Sequence, residues 1–188
     1  MRRNFLSVMS EKTLKILLLE DMRGDQELIK RQVRKFAPKS MFTIADNRQS
    51  FLKKIEWTTP DIILADYNLP DYSGLQALLL VKEKMPHVPF IFVTGKMNDE
   101  EKVAEVIMHG ASGYLLKENL TALPEKLQEI FERAEKRFQE EEVRRAKERR
   151  NQMLLQKITE LVRQSEDFDL KNEVEEALDE INEATSAN

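Results

Sequence analysis

The stretch IILADYNLPDYSG, residues 62–74, decides how the rest of the chain is interpreted. Its first four residues are apolar and predict a short buried strand, and Pro70 and Gly74 mark the loop that follows it. Asp66 stands at the tip of this strand, where taking a carboxylate out of water costs free energy unless the group is paired or hydrogen-bonded. The neighbouring segments must therefore supply a partner or a chemical role for Asp66.

Short apolar runs alternate with amphipathic segments over the first two-thirds of the chain. The runs predict five strands, at 14–19, 41–45, 62–65, 89–94 and 113–117. Apolar residues at helical intervals predict helices at 26–36, 51–57, 75–85 and 100–110, and a further helix from about Thr121. Five successive strand–helix units predict an α/β fold, a doubly wound parallel sheet with helices on both faces.

Polar residues stand at the ends of four of the predicted strands: Glu20, Asp21, Asp66, Thr94 and Lys117. The carboxyl ends of parallel strands share one edge of the sheet, so we expect these side chains to converge there. Three clustered carboxylates repel one another until a cation relieves them, and carboxylate oxygens suit Mg²⁺. Asp66 can then attack phosphorus as a nucleophile, while Lys117 and Thr94 bind other phosphoryl oxygens.

The composition restricts the other functions. A chain of 188 residues with net charge −4 is not expected to bind nucleic acid, and the absence of cysteine excludes disulfides and thiolate chemistry. No apolar run approaches the roughly 20 residues that span a bilayer. The TGK at 94–96 lacks the first glycine of a phosphate-binding loop, so we do not expect nucleotide binding. We expect a cytoplasmic protein.

Four motifs make the chain resemble a known family. They are LLLEDM at 17–22, ILADYNLPDYSG at 63–74, IFVTGK at 91–96 and GASGYLLKENL at 110–120. With these motifs, residues 14–133 resemble the receiver domain of bacterial two-component response regulators, similar to the chemotaxis regulators. The resemblance implies a flavodoxin-like sheet of order 2-1-3-4-5. It also implies that the protein is a phosphoacceptor rather than a conventional enzyme. The phosphoryl donor would be a histidine kinase or a phosphotransfer protein.

The resemblance implies a metal site. Asp66 would be the phosphoacceptor, and Asp21, Asp66 and the backbone carbonyl of Asn68 would ligate Mg²⁺. Glu20 would act through a metal-bound water.

The resemblance also implies three residues that respond to the phosphoryl group. Lys117 would pair with it, Thr94 would move toward it, and Tyr114 would be the switch aromatic that turns inward when Thr94 moves. One position departs from the family, because Glu118 stands where a proline, often with a cis bond, usually follows the lysine.

The last third of the chain predicts long helix, since no glycine or proline follows Pro124. We expect a flexible tail at 1–13, the receiver at 14–135 and a helical or coiled-coil extension at 136–188, with the receiver's last helix running to about residue 164. Leu154, Ile158 and Leu161 form an apolar stripe that a homodimer would bury. The stripe is out of heptad phase with the one that starts at Phe131, and a monomeric hairpin closed by residues 174–181 is the alternative.

The sequence is also compatible with two other functions. The chain could be the receiver and signalling helix of a larger histidine kinase or multidomain sensor. It could also be a metal-dependent phosphohydrolase, which would need a general acid shortly after the nucleophile. Asn68 stands two residues after Asp66, where such an acid would act, so the residues disfavour a phosphohydrolase.

Overall fold

A parallel five-stranded sheet forms the centre of the protein. The computed structural model describes residues 13–95, 100–163 and 174. The strands are β1 (Lys15–Leu19), β2 (Met41–Ala45), β3 (Ile62–Ala65), β4 (Phe90–Thr94) and β5 (Gly113–Leu116). They pair in the order β2-β1-β3-β4-β5, and every pair is parallel. The predicted fold and strand order are confirmed.

Within the described residues, five helices alternate with the strands, as the sequence predicts. They are α1 (Arg23–Phe36), α2 (Arg48–Trp57), α3 (Gly74–Lys84), α4 (Glu100–Met108) and α5 (Leu123–Arg163). A 3₁₀ helix, Lys117–Ala122, precedes α5. The last helix therefore begins at Leu123, later than the expected position near Thr121. Pro124 lies in its first turn, where a residue without a backbone N–H is tolerated.

Both faces of the sheet are buried, which explains why its strands are apolar without alternation. On β1, Ile16 and Leu18 pack into a core covered by α1 and the start of α5. Leu17 and Leu19 of the same strand point to the other face, where a second core is covered by α2, α3 and α4. Helices therefore cover both faces of the sheet, and in such a fold a ligand site is expected beyond the carboxyl ends of the strands.

The loop between β3 and α3 closes tightly. The backbone N–H of Gly74 donates to the carbonyl of Tyr67 at 3.0 Å, and the Ser73 hydroxyl caps α3 by accepting from the N–H of Leu75 at 3.2 Å. A Cβ at Gly74 would lie 2.7 Å from the backbone oxygen of Asp66. Only glycine therefore fits there without moving the backbone that carries Asp66.

Helix α5 is 41 residues long, which confirms the predicted extension of the last receiver helix to about residue 164. The chain divides into two compact units between Arg133 and Ala134. The second unit carries ion pairs one turn apart, such as Arg145–Glu141 at 2.6 Å, and exposed pairs of this kind contribute only about 0.3–0.5 kcal/mol each.

Exposed apolar residues also occur on the second unit's part of α5: Met153, Leu154, Ile158 and Leu161. In the parts of the chain that the structure describes, no helix is long and apolar enough to cross a membrane. Residues 1–12 of the expected N-terminal tail lie outside the described residues. So does the hairpin segment 174–181, apart from Val174.

Candidate functional site

Three carboxylates meet at the carboxyl edge of the sheet. One oxygen from each of Glu20, Asp21 and Asp66 lies within 4.8 Å of the others. The sheet brings them together because β1 and β3 are neighbours: the N–H of Asp66 donates to the carbonyl of Leu19 at 2.8 Å. Glu20 is fully buried and Asp66 is 7% exposed. The expected convergence of these strand ends is thus present in the structure.

Lys117 supplies a cation at this edge. Its Nζ lies 2.7 Å from Asp66 Oδ2 and 2.7 Å from Asp25 Oδ2, and it donates a hydrogen bond to each. It also forms an ion pair with Glu20, whose Oε2 lies 2.7 Å away. One ammonium therefore contacts three carboxylates that come from three different segments of the chain.

Asp25 is the member of this cluster that the sequence did not predict. It lies in the first turn of α1, four residues after Asp21 in the sequence. An acidic residue in the first turn of a helix is commonly explained by the helix dipole alone, so its residue type gave no signal. Its contact with Lys117 joins residues 92 positions apart, which no local pattern reveals.

Among the described residues, the cluster has an excess of negative charge. Burial raises the pKa of Glu20 from its ordinary 4.5 to about 7, an effect that Lys117 partly opposes and the Asp66 charge reinforces. Burial alone would lower the pKa of Lys117, but the contacts with Asp25, Asp66 and Glu20 outweigh it and raise that pKa. The carboxylate oxygens and this excess charge fit a divalent cation of the Mg²⁺ type.

Asn68 and Thr94 border the same carboxylate. The backbone N–H of Asn68 donates to Asp66 Oδ1 at 3.0 Å, and the Asn68 side-chain amide donates to Thr94 Oγ1 at 3.4 Å. Thr94 is fully buried at the end of β4. Tyr114 is half-buried on β5, opposite Phe92, and packs into the same core as that residue. A phosphoryl group on Asp66 would thus be near the Thr94 hydroxyl.

An open cleft of about 670 Å³ lies over the acidic cluster. Its lining includes Asp21, Asp66, Asn68, Asp71 and Gln76. Asp66 is therefore accessible from solvent, although the rest of its strand is buried. On the other side of the site, the departure at Glu118 leaves no cis bond: all peptide bonds of the described residues are trans.

A model of the response regulator receiver domain family matches residues 16–130. The chain belongs to this family. Its receiver domain is accordingly a phosphoacceptor rather than a conventional enzyme, and the resemblance noted from the four motifs is confirmed. The family match argues against the phosphohydrolase alternative, because it covers the carboxylates on which that alternative depended.

Individual proteins resemble the receiver to different extents. Regulatory protein LuxO of Vibrio cholerae is 45% identical over 58 residues, which are 31% of this chain and 12% of LuxO. Chemotaxis protein CheY-3 of V. cholerae is 28% identical over 125 residues, 65% of this chain and 95% of that protein. The structure of a CheY-like receiver domain protein from Methanospirillum hungatei is 27% identical, with a TM-score of 0.60 over 67% of this chain and 99% of that one.

The chain spans only a small part of LuxO, and the matches to CheY-3 and the M. hungatei protein cover about two-thirds of this chain. The receiver and its fold are therefore established. The bound Mg²⁺, the roles of the individual site residues, the domain boundaries, the partner and the dimer stay predictions.

Proposed function

We propose that the protein is a cytoplasmic two-component response regulator in which Asp66 accepts a phosphoryl group. The donor is a phosphohistidine of a histidine kinase or a phosphotransfer protein. One observation carries the proposal: of the three clustered strand-end carboxylates, Asp66 is the one that both contacts Lys117 through a hydrogen bond and lines the open cleft. A nucleophile must be reachable by its donor and must have a cation ready for the transferred charge.

The transfer begins when a carboxylate oxygen of Asp66 attacks the phosphorus atom. The bond between phosphorus and the donor's imidazole nitrogen breaks, and its electron pair stays on that nitrogen, which then takes a proton. The product is an acyl phosphate. Lys117 follows the charge, because its ammonium can exchange an Asp66 oxygen for a phosphoryl oxygen. Water later attacks phosphorus, the phosphorus–oxygen bond to Asp66 breaks, and inorganic phosphate leaves the regenerated carboxylate.

Magnesium fits this site through the residues that the family resemblance implies. The ion would be held by Asp21, Asp66 and the backbone carbonyl of Asn68. Glu20 would interact with it through a water molecule. When bound, the ion neutralises the carboxylates and polarises the phosphoryl oxygens. The carboxylates then no longer repel the incoming phosphoryl group.

Thr94 and Tyr114 form the switch in this proposal. The Thr94 hydroxyl oxygen accepts from the Asn68 side-chain amide at 3.4 Å. Phosphorylation offers the hydroxyl proton a charged oxygen to bind, and hydrogen bonds to charged acceptors are the stronger ones. Thr94 then moves toward the phosphoryl group, and Tyr114 turns into the space it leaves. Thr94→Ser should keep the response and Thr94→Val should lose it, while both still label at Asp66. The rotation of the Tyr114 ring is measured by fluorine NMR after fluorotyrosine labelling, because the signal reports the solvent exposure of the ring.

Labelling with a small phosphodonor tests the central step. Acetyl phosphate with Mg²⁺ should add one acid-labile phosphoryl group to the wild type and none to Asp66→Asn. Asp46→Asn is the matched control, because Asp46 also follows a strand but binds Ser50 and Asn47 outside the cluster. Equal labelling of wild type and Asp66→Asn would remove the phosphoacceptor assignment.

The C-terminal extension forms the output in this proposal, as a homodimer or coiled coil. Leu154 and Ile158 are 49% and 43% exposed on α5 and lie one turn apart. Full burial of each would contribute about 1.5–3 kcal/mol, and a second copy of the chain offers the same apolar surface. The receivers of such a dimer could reorient when Asp66 is phosphorylated.

Sedimentation velocity decides between the dimer and the monomeric hairpin. The wild type should sediment as a dimer at micromolar concentration, and the pair Leu154→Glu and Ile158→Glu should sediment as a monomer. The pair Gln152→Glu and Gln156→Glu adds the same charge at exposed polar positions and should stay dimeric. A monomeric wild type would rule out the dimer.

The larger-kinase alternative stays open, because the family match ends at residue 130.

A further inference from the structure

The contact between Asp25 and Lys117 has no role in the metal site or in phosphoryl transfer as described above. Asp25 is not one of the three carboxylates that could hold a metal ion together. Its side chain is 32% exposed in the first turn of α1, yet it approaches Lys117 as closely as Asp66 does, at 2.7 Å. The helix dipole explains an acidic residue at this position, but it does not explain why the carboxylate faces the ammonium of Lys117.

The ammonium of Lys117 has three N–H groups and no acceptor. Its three close carboxylate oxygens belong to Asp25, Asp66 and Glu20. A phosphoryl group on Asp66 changes the second of these contacts and leaves Asp25 where it is. Lys117 would therefore meet the phosphoryl group with one N–H still directed to α1 and with part of its charge balanced by Asp25.

We infer that Asp25 is a positioning residue that holds the Lys117 ammonium toward α1. Asp25 thereby weakens the binding of this ammonium to the phosphoryl group. The inference rests on the proposed function of Asp66. Asp25 acts in two ways that substitutions separate: as a hydrogen-bond acceptor it fixes the ammonium, and as a charge it reduces the attraction of Lys117 for an anion. Asparagine keeps an acceptor and removes the charge, whereas glutamate keeps both.

The first measurement is the affinity for beryllofluoride, a phosphoryl mimic, in the presence of Mg²⁺. Because both carboxylates lie 2.7 Å from the Lys117 nitrogen, an Asp25 oxygen is at most on the order of 5 Å from Asp66 Oδ2, close enough for a charge effect that partial exposure reduces. Calorimetry should show binding to Asp25→Asn about threefold to tenfold tighter than to wild type. Asp25→Glu should restore the wild-type affinity.

The matched control is Glu27→Gln, which removes a charge from the same end of α1. Glu27 pairs with Lys30 and not with Lys117, so this variant should bind beryllofluoride as the wild type does. Equal tightening in Asp25→Asn and Glu27→Gln would mean a general charge effect and would overturn the inference. Unchanged or weaker binding to Asp25→Asn would overturn it as well.

The second measurement observes Lys117 itself and does not depend on phosphorylation. The ¹⁵N-labelled ammonium of Lys117, assigned by its loss in Lys117→Met, should exchange its protons slowly with water in the wild type. It should exchange faster, with a shifted resonance, in Asp25→Ala, which removes both the acceptor and the charge, and return to wild-type behaviour in Asp25→Glu. An unaltered resonance in Asp25→Ala would overturn the positioning role. A wild type that binds no beryllofluoride would instead reject the proposed function, and the resonance would still decide whether Asp25 positions Lys117.

Discussion

Replacing Glu20 with glutamine should stabilise the metal-free protein at alkaline pH and change its stability little at acid pH. Glu20 is fully buried and its pKa is raised from 4.5 to about 7. The folded state therefore binds this proton more tightly than the unfolded state does. Stability linked to Glu20 is fully present below about pH 4.5 and is lost as the pH rises through about 7. Glutamine resembles the protonated carboxyl and avoids this loss.

The magnitude follows from the two pKa values of Glu20. Each pKa unit corresponds to about 1.36 kcal/mol, so the rise from 4.5 to about 7 costs about 3 kcal/mol once the group is ionised in both states. Near pH 5 the folded-state carboxyl is still protonated, and the cost is about 1 kcal/mol or less. Glu20→Gln should thus gain about 2–3 kcal/mol between pH 5 and pH 8, relative to the wild type.

Urea unfolding followed by circular dichroism measures this gain. Wild type and Glu20→Gln are compared at about pH 5 and about pH 8 with a chelator present. Glu83→Gln, at an exposed position of α3, should show no such gain. Adding Mg²⁺ at the higher pH should narrow the difference, since a bound cation favours the ionised form of the wild type. A Glu20→Gln variant whose stability differs from wild type by the same amount at both pH values would refute the reasoning.

Three further substitutions test how the fold supports the site. Gly74→Ala should cost about 1–3 kcal/mol and slow labelling of Asp66, because the new Cβ meets backbone atoms at 2.7–2.8 Å. Gly24→Ala should instead stabilise by up to about 1 kcal/mol, since a Cβ there would have, among the described residues, no atom within 4 Å beyond its chain neighbours and the backbone of its own helix; thermal denaturation compares the two. Asn47→Ala should cost about 1 kcal/mol and leave labelling unchanged, because Asn47 caps α2 by accepting from the N–H of Ser50.

Much of the fold could be predicted because its signals are local. Buried parallel strands are short and continuously apolar, so the sequence indicates their number and positions. The carboxyl ends of parallel strands share one edge, and this rule places Asp66 on the same edge as Glu20 and Asp21. The strand order came from the family resemblance, since local periodicity contains no information about which strands pair.

The parts that could not be predicted depend on contacts between distant segments. Helix α1 begins at Arg23, three residues before the predicted helix at 26–36 does, and its first turn contains no apolar residue to indicate it. Gln26 is buried there because its side-chain amide donates to the carbonyl of Glu20 at 2.8 Å, a role that hydrophobic spacing does not reveal. The same first turn carries Asp25, so the missed helix start and the missed contact with Lys117 have one origin.

Chemical trapping of the acyl phosphate tests the central claim most directly. Borohydride reduces an aspartyl phosphate to homoserine, which marks the modified residue permanently. After incubation with a phosphodonor and Mg²⁺, peptide mass spectrometry of the reduced wild type should find homoserine at position 66 and aspartate at positions 21 and 25. Homoserine at another carboxylate, or none at position 66 in protein that carries a phosphoryl group, would contradict the account.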